Sequence, residues 1–228
     1  LCLNWWAPPA SHIFDPYAGG PVRGLMAAVL GHTYTGHDIS AAQMATNYEV
    51  TTQHRNDYPG HITWNVEDAA TPYTGPAFAD YVLTCPPYGN REVYDPDNPA
   101  DASTMDRHEF ENHTIAMAEA TVNRMKNNTY ATIVCGQYRQ HGKLQDMNGL
   151  FIEAFEAAGA ELYADAVLIN MYGTAPQRAS AHFDHNRKPV RLHQTILTFA
   201  KGDGMAAAAK CETGNGYFSS RTTSTVDT

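Results

Sequence analysis

The sequence predicts an α/β domain: seven strands in a mostly parallel sheet, the last strand antiparallel, with helices on both faces. Short runs of β-branched and aromatic residues alternate with longer helix-like segments along most of the chain, the pattern of a parallel sheet with crossover helices. Glycines and prolines fall where those runs should stop. The final two strands are separated by a helix-poor stretch of roughly 23 residues, which favours antiparallel pairing at the end.

His12–Tyr17 reads as the first strand, closed by Gly19-Gly20. Val22–Leu30 follows as a helix with Gly31 as its stop. Thr33–Ile39 is the second strand, and Ser40 is placed to cap a helix over 41–54. His61–Val66 is a third strand. Phe78–Cys85 is a fourth, ended by Pro86-Pro87, which cannot donate to a ladder. After an irregular Asp/Asn/Pro stretch at 89–103, Met105–Met125 reads as a long helix and Tyr130–Cys135 as a fifth strand. Gly149–Ala158 is a helix ended by Gly159, and Leu162–Met171 and Thr195–Ala200 complete the seven strands. Trp5 and Trp6 are expected to pack on the first strand. From 203 to 228 the chain is Ala-, Ser- and Thr-rich with little to bury, and it reads as a disordered tail after one domain at 1–202.

At 228 residues and 25.0 kDa a single core suffices without staples, since a chain this long buries about 70% of its unfolded surface. No apolar run approaches the ~20 residues of a membrane span, so no membrane partner is expected. Cys2, Cys85, Cys135 and Cys211 are scattered, which suits a reduced, cytoplasmic setting. The chain opens on Leu1 rather than Met, and a missing upstream stretch is expected.

The net charge of −9 excludes a protein that coats nucleic acid by bulk electrostatics. Its distribution is uneven. Residues 1–120 hold 4 Lys/Arg against 15 Asp/Glu, whereas 121–228 hold 11 against 9. The stretch 178–193 carries Arg178, Arg187, Lys188 and Arg191 against Asp184 alone, enough to hold a polyanion locally.

Open α/β sheets bind ligands beyond the carboxyl ends of their strands. There the sequence places Asp15-Pro16-Tyr17-Ala18-Gly19-Gly20, then Asp38-Ile39, then Glu67-Asp68, then Thr84-Cys85-Pro86-Pro87-Tyr88. Each alone reads equally as a turn or cap. As a set they match a nucleoside cofactor: a glycine turn for close approach, a carboxylate for ribose hydroxyls and another for an adenine amine. The chain lacks GxxxxGK[ST] and GxGxxG, which disfavours a P-loop nucleotide or NAD. His108 and His113, five apart, fall on different helix faces, so no metal is expected.

FDPYAGG at 14–20 resembles the cofactor motif, usually FDPFAGxG, of amino-directed DNA methyltransferases that use S-adenosylmethionine. TCPPY at 84–88 resembles their catalytic (D/N/S)PPY motif. CPPYGNREVYDPDNPADAS and QRASAHFDHNRKPVRLHQTILTFAKG (177–202) resemble the small phage and bacterial members, so the likeness runs from about residue 5 to 202. It implies a Rossmann-like methyltransferase fold and S-adenosylmethionine held by Asp15, Pro16, Tyr17, Ala18, Gly19, Gly20, Asp38, Ile39 and Asp68. The target amine of adenine or cytosine in DNA would meet Cys85, Pro86, Pro87 and Tyr88. Arg178, Arg187, Lys188 and Arg191 are the candidates for DNA backbone contact. Cys85 departs from the usual Asp, Asn or Ser, and a thiol is a weak acceptor. Three alternatives stay open: an RNA or protein-amide substrate, Cys85 as a covalent nucleophile, and a silent nucleic-acid-binding relative.

Overall fold

The computed structural model describes residues 1–87, 98–140, 142–171 and 175–211. Helix α1 (Cys2–Trp6) precedes β1 (His12–Asp15), α2 (Val22–Val29), β2 (Thr33–Asp38), α3 (Ala41–Gln53), β3 (His61–Val66) and β4 (Ala79–Thr84). Then come α4 (Arg107–Arg124), β5 (Met125–Cys135), the β6–β7 hairpin (Tyr138–Gln140, Lys143–Gln145) and α5 (Met147–Ala157). Strand β8 (Ala160–Ile169), α6 (Ala175–Asn186), β9 (His193–Lys201) and α7 (Gly204–Ala208) complete the order.

The main sheet has seven strands in the order β3-β2-β1-β4-β5-β9-β8. Strands β1 to β5 pair in parallel, while β9 runs antiparallel to both β5 and β8, as expected of the last strand. The order reverses between β1 and β4, where the chain winds first to one side and then to the other. That switch opens a crevice at the carboxyl ends.

Two cores flank the sheet. On one face Met117 and Val122 of α4 and Phe151 and Phe155 of α5 pack on Phe14, Val82, Ile133 and Leu197. Phe155 stacks on Phe199 with ring centroids 4.6 Å apart. On the other face Leu3, Ala27 and Ala207 of α1, α2 and α7 cover Ile13, Tyr34, Tyr81 and Tyr130.

Local signals explain most boundaries. The Ser40 side chain accepts from Gln43 N–H and starts α3. Asp106 and Glu109 form a capping box at α4. Gly31 (φ 84°) and Gly159 (φ 95°) adopt the left-handed backbone just past α2 and α5.

Three expectations are corrected. The stretch before the last strand contains α6, whose side chains at 177–186 are exposed except His182, so no apolar period marks it. The tail reading fails at its start: Asp203 caps α7 by accepting from Met205 and Ala206 N–H, and Ala207 is buried. Residues 212–228 lie outside the described residues. Trp6 packs edge-on against Tyr130 of β5 and Tyr163 of β8, at 5.1 and 6.0 Å, on the cluster that includes Ile13 of the first strand, whereas Trp5 is exposed instead of packed there.

The fold buries a titratable ring in its neutral form. His32, only 6% exposed, accepts the Ser11 N–H on Nδ1, and burial lowers its pKa below the usual histidine value. The unfolded ring binds a proton at about pH 6.5 while the folded one resists it, so the unfolded state gains protons first and stability falls as pH drops below about 6.5. Urea midpoints at pH 7.5 and 5.5 should show this fall. His32→Asn, whose amide oxygen can accept the same bond without titrating, should show a smaller one.

Candidate active site

At the carboxyl ends of β1 to β4 lies a cavity of about 550 Å³, within the range that small-molecule ligands occupy. Its walls carry Pro16, Tyr17, Ala18, Gly19 and Gly20 from the turn after β1, and Asp38 and Ile39 after β2. Asp68 after β3 and Cys85, Pro86 and Pro87 after β4 complete that set. Of the four strand-end groups singled out in the sequence, those after β2 and β3 line the cavity in full; the first lines it without Asp15, and the fourth through Cys85, Pro86 and Pro87 but not Thr84. Tyr88 lies outside the described residues.

The turn after β1 approaches the cavity through its backbone. Gly19 takes φ 53°, a conformation that side chains disfavour, and a Cβ at Gly19 or Gly20 would meet nothing within 4 Å. The turn is held from behind. Asp38 accepts the Gly19 N–H (3.0 Å) on one oxygen and the Ser40 N–H (2.9 Å) on the other. The fully buried Asn47 of α3 donates to the Gly19 carbonyl at 2.6 Å. At Gly36 a Cβ would stand 2.8 Å from Ala18 Cβ, Tyr34 and Trp64, so only glycine lets the turn settle on β2.

Asp15 departs from its expected role. Its side chain is fully buried, it is absent from the cavity wall, and its carboxylate is consumed by four donors. Oδ1 accepts from Tyr17 N–H (3.1 Å) and Thr84 hydroxyl (2.7 Å); Oδ2 accepts from Arg23 Nε (2.6 Å) and Tyr34 hydroxyl (2.7 Å). Asp15 thus shapes the turn from behind the cavity wall. Arg23 runs on to donate to the Tyr17 and Ala18 carbonyls and itself lines the cavity.

Beyond β3 the two carboxylates divide the work. Glu67 accepts from Arg124 Nη2 at 2.6 Å; Arg124 is buried, lies over the rings of Phe14 and Tyr73, and burial lowers its pKa. Asp68 accepts from His113 Nε2 and Ala70 N–H, both at 2.9 Å, and the histidine bond holds its carboxyl below the usual range. The partly exposed Cys85 faces the cavity from the end of β4. The neighbouring Cys135 donates to Asn148, and burial pushes its thiol up to about 12.

Sequence reasoning missed Arg23, Asn47, Asp101, His113 and Gln194, of which all but Asn47 line the cavity. None sits in a local motif, because each arrives from another element. Asn47 is the exception that could have been found: a polar residue on the inward turn of a helix that follows the Asp38 strand end.

Arg178 and Arg187 are exposed and Lys188 half-buried, in α6 and the loop leading to β9. Arg187 stands over the Phe183 ring at 4.0 Å, and the exposed Arg191 donates to Gln137 at 2.7 Å. Since β9 starts at the carboxyl ends of its neighbours, this basic segment stands on the cavity's side of the sheet, and Gln194 joins the two. Among the described residues no group of three or more His, Cys, Asp or Glu could hold a metal, and no helix is long and apolar enough to cross a membrane.

No protein-family model matches the chain, and no curated protein matches it in sequence. Solved structures do. A SAM-dependent methyltransferase from Methanosarcina mazei superimposes with a TM-score of 0.57 at 12% identity, over 86% of this chain and 95% of that one. The fold is the Rossmann-like methyltransferase fold. A methyltransferase from Pyrococcus furiosus (TM-score 0.54, 13% identity, 88% and 80% of the chains) shares the methyltransferase fold. So does TrmN from Thermus thermophilus, at 0.55 and 11%, with 85% of this chain and 44% of that one covered.

Asp15 should be the costliest carboxylate to remove from this methyltransferase fold. Asp15→Ala strands Arg23, Tyr34 and Thr84 without their acceptor and should lower stability by about 3–5 kcal/mol. Urea unfolding measures it, and a loss under about 1 kcal/mol would place Asp15 among ordinary positions.

Proposed function

We propose that this chain is a DNA methyltransferase that moves a methyl group from S-adenosylmethionine to the exocyclic amine of adenine (N6) or cytosine (N4). The observation that carries the reading is convergence: the glycine turn, Asp38, Asp68 and Cys85-Pro86-Pro87, far apart in sequence, line one cavity. The methyltransferase fold and the two motifs at 14–20 and 84–88 support it.

The cavity fits the cofactor on three counts. The open space over Gly19 and Gly20 admits a ligand against bare backbone. Asp38 spends one lone pair of each oxygen on backbone N–H groups, which leaves the others for ribose hydroxyls. Asp68 uses one oxygen for its two bonds and keeps the second for an adenine amine. Bound there, S-adenosylmethionine supplies an electrophilic methyl group on sulfonium.

The chain's own part is positioning. An exocyclic amine is a poor nucleophile because its lone pair is delocalised into the ring. A hydrogen bond from that amine to the Pro86 carbonyl, with Cys85 or Thr84 nearby, favours a pyramidal nitrogen aimed at the methyl group. Thr84 is buried off the cavity wall and spends its hydroxyl proton on Asp15, so the contact falls to Pro86 and Cys85. Tyr88 would stack on the base, which must first leave the duplex at a cost of a few kcal/mol. The in-line displacement then needs alignment more than acid–base help. Arg178, Arg187, Lys188 and Arg191 would carry the phosphate contacts that set register.

Incubation with labelled S-adenosylmethionine and unmethylated duplex DNA, then nucleoside mass spectrometry, should yield N6-methyladenine or N4-methylcytosine. Label in RNA or protein but not DNA would move the substrate. Tyr88→Ala should lower turnover by about 100-fold or more, the scale of lost positioning. Cys85→Ser should retain activity; its complete loss together with 5-methylcytosine as product would make Cys85 a nucleophile and sink the direct transfer.

A further inference from the structure

His113 has no part in either motif, yet it sits between two residues of the cavity wall. Helix α4 brings its ring to the cavity with the side chain 8% exposed. On one side Nε2 donates to Asp68 Oδ1 at 2.9 Å; on the other Nδ1 meets the Tyr17 hydroxyl at 3.2 Å. Asp68, held as a carboxylate by this bond, can only accept. The proton on that side must therefore belong to Nε2, which in the neutral ring makes Nδ1 the acceptor. Tyr17 supplies the matching donor, and burial raises its phenol pKa so that it keeps its proton. Both ring nitrogens are thus committed, and the tautomer and ring plane are fixed.

The consequence falls on Asp68. Its Oδ1 takes His113 and the Ala70 N–H together, and among the described residues no donor bonds to Oδ2. We propose that His113, locked by Tyr17, is a positioning residue that turns Asp68 so that Oδ2 is offered to the cavity as a bare acceptor, selecting an adenine amine over a carbonyl at the same place. This rests on reading the cavity as the adenosine site. An oxygen at position 6 of the purine would face Oδ2 acceptor to acceptor. A site built to accept from an amine rejects such an analogue because both acceptors are left unpaired.

Calorimetric binding of S-adenosylhomocysteine and S-inosylhomocysteine tests it without turnover. The wild-type protein should prefer the adenosyl compound by about tenfold or more, the scale of a hydrogen bond to a charged group. His113→Phe keeps ring volume but cannot donate, and its preference should shrink to about threefold or less; His113→Gln, whose amide can donate to Asp68, should recover part of it. Nitrogen-15 spectra should show His113 as the Nε2–H tautomer, and Tyr17→Phe should shift its Nδ1 signal. An unchanged preference in His113→Phe, or an Nδ1–H tautomer in the wild type, overturns the inference and leaves the cofactor reading standing. Failure of the wild type to bind either compound overturns both.

Discussion

The carboxylate of Asp15 ties together the parts that make the cavity floor. It stands at the end of β1, fully buried, and gathers donors from β2, β4, α2 and the turn that follows it. An isolated buried carboxylate is costly to desolvate, so the arrangement holds only while every donor is in place. The turn after β1 is thereby pinned at both ends: by Asp15 at Tyr17 and by Asp38 and Asn47 at Gly19. The glycine backbone is consequently presented to the cavity by polar groups pulling from behind, and the left-handed backbone of Gly19 and the missing side chain of Gly36 are the conditions for that fit.

Above this floor the sheet order distributes chemistry. The reversal between β1 and β4 leaves a gap beside β1 into which the ends of β2 and β3 deliver Asp38 and Asp68 while β4 delivers Cys85-Pro86. The two acceptors are not equivalent. Asp38 divides its oxygens between two backbone donors, whereas Asp68 concentrates its bonds on one. Glu67, the neighbour of Asp68, is neutralised by Arg124, so the cavity wall carries less negative charge than its sequence suggests.

The charge division follows the same geometry. The acidic first half supplies the cavity carboxylates, and four of the eleven basic residues of the second half stand in α6 and the loop before β9, on the same side of the sheet. Under the proposed function, a cofactor with hydroxyl and amine donors would face the carboxylates while a polyanionic substrate met the adjacent basic segment. Local charge contrast of this kind is compatible with a net charge of −9, because phosphate contacts are made within about one Debye length, roughly 8–10 Å.

Much of the fold was legible in the sequence. Strands of β-branched and aromatic residues and helices bounded by Ser40, Gly31 and Gly159 were readable because these features act over a few residues, and the reversed last strand was expected correctly although the return before it contains α6. Helix α6 and helix α7 escaped for a physical reason: one is exposed nearly all round, and the other is a single short turn defined by Asp203 and by burial of Ala207. The strand-end residues were legible as a set, since a parallel sheet always delivers its carboxyl ends to one edge. Which of them faces the cavity and which is spent within the protein was not. Asp15 and Asp38 look alike in sequence; only packing decides that the first meets four donors and the second keeps part of its oxygens. His113 likewise has no local signal, because its partners Tyr17 and Asp68 lie 96 and 45 residues away. Periodicity and turn chemistry are local and could be read from the chain, whereas the partner of each buried polar group is set by contacts that exist only once the sheet has closed on its helices.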